Sequence, residues 1–214
     1  MQIRQNVIKS NRIIFSLIFV VLCGSSIDAV AQAKKSSIGI HEKLWALSHP
    51  FKAKAAYKIT LEVRSICDSL SLVHGVSGNS GGKLDAFRHS YWMALLRQKL
   101  RYRAALKLGI AHEKSNFKQF RKGRQEDNTR ADSVLCAMDL HNNKEGLKIG
   151  EQQLGKSKSD IAEAIINAYN KGMFQICLVN DKDEFITCEG DKIDFKKFKN
   201  AWNVPRCLIK SADW

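Results

Sequence analysis

Proline is nearly absent from this chain: there are two in 214 residues, Pro50 and Pro205, and between them no ring forces the backbone out of a helix. Across that interval apolar residues recur mostly three and four positions apart, the spacing that lines one face of a helix. After His49 and Pro50, the stretch 53–72 repeats apolar side chains at Ala56, Ile59, Val63, Ile66 and Leu70, then ends at the glycine- and serine-rich segment 75–82. It predicts one long helix. Further helices are predicted over 84–100, 101–112, 129–140 and 160–170, the last opened by a capping-box-like pair, Asp160 and Glu163.

Beyond Gly172 the period changes. Segments 174–179 and 184–188 are rich in aromatic and β-branched residues and flank the turn-forming tetrad Asn180, Asp181, Lys182 and Asp183, the pattern of a β-hairpin. The tail 191–214 has room for one more short helix. No internal repeat, long linker or low-complexity tract divides the chain. The expected fold class is therefore mainly α: a single-domain helical bundle with a C-terminal β-hairpin over about 174–188.

The first 31 residues are set apart from that domain. Arg4, Lys9 and Arg12 precede an apolar run at 13–23, interrupted only by Ser16, and the small-residue stretch Ala29, Val30 and Ala31 follows. That is the order of a secretory signal peptide, with cleavage after Ala31 or, one register on, after Ala33. The apolar run is 11 residues long, whereas a membrane-spanning helix needs roughly 20, so an exported protein without a retained anchor is expected, secreted or periplasmic. The domain is then 34–214, about 180 residues, enough to bury a core without staples. Five of the six cysteines lie in it: Cys67, Cys136, Cys177, Cys188 and Cys207. An oxidising compartment allows some to pair, and the odd count leaves at least one over. With no Cys-x-x-Cys pair there is no basis for a thiolate zinc site.

The chain carries a formal charge of +14, and removing the leader, with three basic residues and Asp28, leaves +12. Such an excess draws anionic partners: lipid head groups, acidic cell-wall polymers or, with less support, nucleic acid. Part of it is concentrated in Arg97, Lys99, Arg101, Arg103 and Lys107, and again in Lys114, Lys118, Arg121, Lys122 and Arg124. A solvated face that keeps an exported protein soluble is the commoner role of such clusters. Phe117 and Phe120, set within the second, are the one hint of base stacking.

Three short stretches hold most of the unusual polar chemistry. They are Asp85-Ala86-Phe87-Arg88-His89 with Trp92, then Ala111-His112-Glu113, then Met138-Asp139-Leu140-His141-Asn142-Asn143 with Gly146. On a helix Asp85, His89 and Trp92 share a face, which sets a carboxylate and an imidazole in an apolar stripe. Charged groups in such a place must be paired or coordinated. A local Asp85–His89 hydrogen bond is the simplest account of that pair alone. The two later stretches repeat the anomaly, and three such segments can converge on one pocket.

Two chemistries use these residue types. A divalent transition metal (Zn, Mn or Fe) suits imidazole and carboxylate ligands from separate elements. His89, His112 and either Asp139 or His141 are then the expected ligands, with Asp85 orienting His89 and Glu113 as base. Without a metal, a histidine steered by Asp85 is a general base, with Arg88, Asn142 and Asn143 as donors to an oxyanion. Both describe an exported hydrolase acting on an anionic substrate. The alternative is a non-catalytic secreted binding or effector-accessory domain whose polar cluster fixes helix packing.

At the same residues the chain resembles a bacterial domain family of unknown function found in secreted proteins and at the toxic ends of some large exported proteins. The shared pattern is an Asp-Ala-Phe-Arg-His helix with a following Trp, an Ala-His-Glu element and a Met-Asp-Leu-His-Asn-Asn-x-x-Gly element, matched here by Asp85 to His89 with Trp92, Ala111 to Glu113, and Met138 to Asn143 with Gly146. It covers about 49–150. The resemblance implies a secreted helical domain with a candidate hydrolytic site. Met93 departs from the small polar residue expected after the Trp.

Overall fold

The computed structural model describes residues 38–74, 80–124 and 130–213; the expected leader lies outside them. Among the described residues there are six α-helices, α1 (Ile40–Ser48), α2 (Pro50–His74), α3 (Lys83–Arg97), α4 (Tyr102–Arg121), α5 (Ser133–Gln152) and α6 (Lys158–Asn170), followed by β1 (Gln175–Cys177) and β2 (Leu208–Lys210). None of these helices is long and apolar enough to cross a membrane. The mainly helical class and the small C-terminal antiparallel pair are as the sequence predicts.

α3 is the centre of the bundle and explains how polar residues reach the interior. Twelve of its fifteen residues are buried, the run from Leu84 to Leu96 being broken only at Arg88. A helix buried on every side must be packed all round, and α3 touches α2, α4, α5 and α6. Asp85, His89 and Ser90 are carried inside with it. The closest approach is to α5: a Cβ on Gly146 would fall 2.1 Å from the Ser90 carbonyl oxygen, and one on Gly150 would fall 2.7 Å from the Ala94 Cα. Only glycine lets the two backbones touch there. Around this contact lie Tyr91, Met93, Leu96, Leu147, Ile161 and Phe174, all fully buried, each contributing about 1.5–3 kcal/mol of hydrophobic stabilisation.

Several boundaries differ from expectation for identifiable reasons. α4 and α5 run on well past 112 and 140, because the polar residues that looked like helix ends, His112, Glu113, Asp139, Asn142 and Asn143, are inward-facing members of continuous helices. α6 starts two residues early, at Lys158. Its cap is Ser157, whose Oγ accepts from the Asp160 N–H at 3.1 Å while Asp160 Oδ2 accepts from the Ser157 N–H at 3.2 Å, so Asp160 closes the capping box that Asp160 and Glu163 were expected to open. α1 had no predicted counterpart.

The C-terminal segment pairs non-locally. β1 runs antiparallel to β2, with Ile176 opposite Ile209, so the ladder partner comes from the tail where a helix was expected. Segment 184–188 folds back over the Asn180 turn through a single bridge, Val179 to Phe185. A Cys188–Cys207 disulfide ties that fold-back to the tail, while Cys67, Cys136 and Cys177 are free and buried. Beside it, buried Arg206 donates from Nε to Oδ2 of buried Asp132 at 2.7 Å. Asp132 Oδ1 in turn caps α5, accepting from the N–H groups of Val134 and Leu135 at 3.0 Å each. The tail therefore anchors the helix that brings Asp139 and Asn143 into the site.

Candidate functional site

α3 and α5 form the floor of a small polar cavity, and α4 closes one side. Asp85 and His89 stand one turn apart on α3, as Asp139 and Asn143 do on α5. Helical spacing therefore aims both pairs the same way.

His89 is at the centre, 4% exposed. Its Nδ1 faces Oδ1 of Asn143 at 3.2 Å; an amide carbonyl oxygen only accepts, so Nδ1 carries a hydrogen. Its Nε2 faces Asp85 Oδ1 at 3.4 Å and Asp139 Oδ1 at 3.5 Å. With a hydrogen on Nε2 as well, the ring would bridge the two carboxylates; with a lone pair there, Nε2 and the two carboxylate oxygens can share a cation.

Asp85 is held from both sides. Oδ2 accepts from the Gly81 N–H at 2.6 Å and Oδ1 from Arg88 Nη2 at 2.6 Å. Burial alone would raise this carboxyl; Arg88, His89 and the Gly81 N–H outweigh it and hold Asp85 at about 2. Gly81 reaches this position with φ +84, a left-handed conformation that costs glycine nothing.

His112 enters from α4. Its Nδ1 lies 3.1 Å from Oε1 of Glu42 on α1, and Glu42 Oε2 accepts from the Gly39 N–H at 2.7 Å. Burial pushes the Glu42 carboxyl up, but the His112 contact and the Gly39 N–H prevail and leave it below the ordinary carboxylate range. The His112 ring is 5.8 Å from that of His89 and 5.5 Å, edge-on, from Trp92, which is fixed by Nε1 donating to Thr60 Oγ1 at 3.0 Å. Beside it, buried Glu113 accepts from Asn116 Nδ2 at 3.1 Å. Donor atoms of Asp85, His89 and Asp139 lie within 4.8 Å of one another, and so do those of His89, His112 and Glu113.

The cavity measures about 30 Å³, with Asp85, His89, His112, Cys136 and Asp139 in its wall and half-buried Ser80, Arg88 and Ala131 at its rim. That is room for one or two water-sized occupants. Cys136 is no nucleophile there. Burial pushes its thiol far above the ordinary range, and the neighbouring Glu113 and Asp139 carboxylates push the same way.

Of the residues the sequence singled out, Asp85, Arg88, His89, His112, Glu113, Asp139 and Asn143 are brought together. His141 is not: it lies on another side of α5, with Nε2 3.0 Å from the Met173 carbonyl oxygen, and its expected role as an alternative ligand is withdrawn. Asn142 is withdrawn as an oxyanion donor, because its Nδ2 donates to the Gln175 carbonyl and its Oδ1 accepts from the Gln175 N–H, both at 2.9 Å. It joins α5 to β1. Asn143 points its carbonyl at His89, so it orients the ring. Phe117 and Phe120 pack against Trp202 at 4.8 and 4.9 Å, which accounts for them without base stacking. Glu42, Asn116 and Cys136 were missed.

No curated protein and no solved structure matches the chain. A family model matches residues 43–173, more than half of the 214 residues, and the match takes in the whole cluster except Glu42. The chain belongs to the family described as a domain of unknown function, DUF6973.

Proposed function

We propose that the His89 cluster is a divalent transition-metal centre (Zn, Mn or Fe) and that the chain is an exported hydrolase acting on an anionic substrate. One observation carries the reading: a buried imidazole, pinned through Nδ1 to Asn143, presents Nε2 to two carboxylate oxygens at 3.4 and 3.5 Å. Ligands about 2.1 Å from a tetrahedral ion stand about 3.4 Å apart, so His89 Nε2 already stands at that separation from Asp85 and from Asp139, and the three ligand atoms lie within 4.8 Å of one another. This makes Asp85 a ligand where orientation alone was expected of it.

A divalent cation held there lowers the pKa of a coordinated water toward neutrality. The remaining work falls to the chain's own groups. His112, with Nδ1 committed to Glu42, accepts a proton at Nε2 and passes it to a leaving group. Glu42 fixes that tautomer, as carboxylates behind reactive histidines do. Arg88 at the rim brings positive charge to an anionic substrate. Lipid head groups and cell-wall polymers fit the charge, and nucleic acid fits less well now that Phe117 and Phe120 are accounted for. Export is supported by the leader at 1–31 and by the Cys188–Cys207 pair, since disulfides persist in oxidising compartments.

A specific observation also favours the non-catalytic reading. With a hydrogen on both ring nitrogens, each N–H of His89 faces an oxygen acceptor, and the cluster would join α3 to α5 without a metal. Hydrolysis separates the two. The protein, loaded in turn with Zn²⁺, Mn²⁺ and Fe²⁺, is assayed on bis(p-nitrophenyl) phosphate and p-nitrophenyl acetate. Metal-dependent turnover is expected, with a loss of about 10²-fold or more in His112→Gln at unchanged metal content. No turnover above buffer on either substrate with any of the three metals removes the hydrolase and leaves the structural cluster.

A further inference from the structure

We infer that the corner between α1 and α2 is a docking surface for an anionic lipid bilayer. The inference does not rest on the metal site.

α1 has two unlike faces. The inner one is fixed: Trp45 is buried, donates from Nε1 to the Ala104 carbonyl at 3.0 Å and stacks on His49 at 4.6 Å, while Glu42 faces His112. The outer face carries Ile40, Leu44 and Leu47, spaced four and three apart and so aligned on one stripe. Leu44 is 55% exposed and Leu47 78% exposed, and Phe51, in the first turn of α2 just past the corner, is 96% exposed. Single exposed leucines need no explanation. A stripe ending in a phenylalanine almost wholly in solvent is different, because nothing in the packing of α1 or α2 requires these side chains to be apolar.

Charge names the occupant. Lys43, Lys52, Lys54 and Lys58 are all exposed around the stripe, and Lys54 and Lys58 follow Phe51 on the same face of α2 at three- and seven-residue spacing. From 43 to 61 the chain has no acidic residue at all. The flanking acids are turned elsewhere: Glu42 inward to His112 and Glu62 to Lys158. Leucine and phenylalanine between lysines is the composition of a helix that lies in a membrane interface, with rings and branched chains in the acyl boundary and the lysine stems reaching up to phosphate. A second copy of this chain suits the surface poorly. A two-fold contact sets the same patch against itself and would bring these lysines against their own counterparts.

The test is cosedimentation with vesicles. The protein is the chain beginning at residue 34, first shown to melt cooperatively, because the apolar run at 13–23 would bind lipid by itself. If that form does not melt cooperatively, wild type and variants are compared in the full chain, where the leader is common to all. Binding is expected to vesicles of 30% phosphatidylglycerol in phosphatidylcholine, at least about tenfold weaker to phosphatidylcholine alone, and weakened by salt. Leu47→Ser with Phe51→Ser should weaken it at least about tenfold by removing the buried apolar area. Lys52→Gln, Lys54→Gln and Lys58→Gln together should do the same on anionic vesicles, at about fivefold per lysine. Absence of binding to anionic vesicles, or variants that bind like wild type, overturns the inference. So does a dimer in sedimentation equilibrium that Leu47→Ser with Phe51→Ser dissolves while no vesicle binding is seen; the face would then be a self-association surface.

Discussion

Replacing Asp132 with alanine should cost about 4–6 kcal/mol of folding stability. The figure comes from two jobs done by one carboxylate. Oδ1 caps α5 by accepting two backbone N–H groups at 3.0 Å, and losing a cap of that kind costs about 1 kcal/mol. Oδ2 receives Arg206 Nε at 2.7 Å, with both side chains at most 3% exposed, and removing one partner of a buried ion pair costs about 3–5 kcal/mol because the other charge is stranded. Arg206 cannot swing out, since it lies over the Phe185 and Phe195 rings at 4.2 and 4.8 Å. Asp132→Asn keeps the capping oxygen and loses the charge, so it should be milder than alanine by about the cap, 1 kcal/mol. Asp132→Asn combined with Arg206→Met should recover most of the ion-pair penalty. Urea unfolding and thermal melts read all four proteins. At about 2–4 °C per kcal/mol for a domain of this size, alanine should lower Tm by about 10–20 °C. An alanine variant within about 1.5 kcal/mol of wild type, or one indistinguishable from Asp132→Asn, would refute the reasoning.

Gly146→Ala should destabilise by about 3 kcal/mol or more, because its Cβ would land 2.1 Å from the Ser90 carbonyl oxygen and α3 and α5 must separate; Tm of the variant against wild type checks this. Asn142→Ala removes two hydrogen bonds to Gln175 and should cost about 2–3 kcal/mol, with amide exchange in β1 accelerating ahead of the helices. In metal-free protein, Asp85 titrates at about 2 when folded against about 3.9 when unfolded. Its pairing therefore stabilises the fold above about pH 4 and is lost as pH falls from about 4 to about 2, so Asp85→Asn should flatten that acid limb in urea unfolding measured across pH.

The helical class was legible because it rests on a local period, the apolar repeat, and one-turn spacing likewise set Asp85 beside His89; the convergence of the three motif stretches was expected from their shared anomaly and not from any period. His141 was misread for a reason the sequence does contain. At about 100° per residue, residue 141 lies about 200° around from Asp139, whereas Asn143, Gly146 and Gly150 return to the Asp139 side. Following the helix through to Gln152 would have ruled His141 out and shown the glycines against α3. Glu42 carried no such signal. It is one acid in a short segment, and its meaning comes from His112, 70 residues away. The pairing of β1 with β2 and the Asp132–Arg206 clamp are equally non-local, and only packing reveals them.

The claim that Asp85, His89 and Asp139 hold a metal is tested most directly by elemental analysis of the purified protein after exposure to equimolar Zn²⁺, Mn²⁺ and Fe²⁺ and gel filtration, beside His89→Ala and His141→Ala. One equivalent of a transition metal retained by wild type and by His141→Ala, and lost in a His89→Ala variant that still melts cooperatively, is the predicted result. Wild-type protein that retains no metal, or a His89→Ala variant that retains as much, would contradict it.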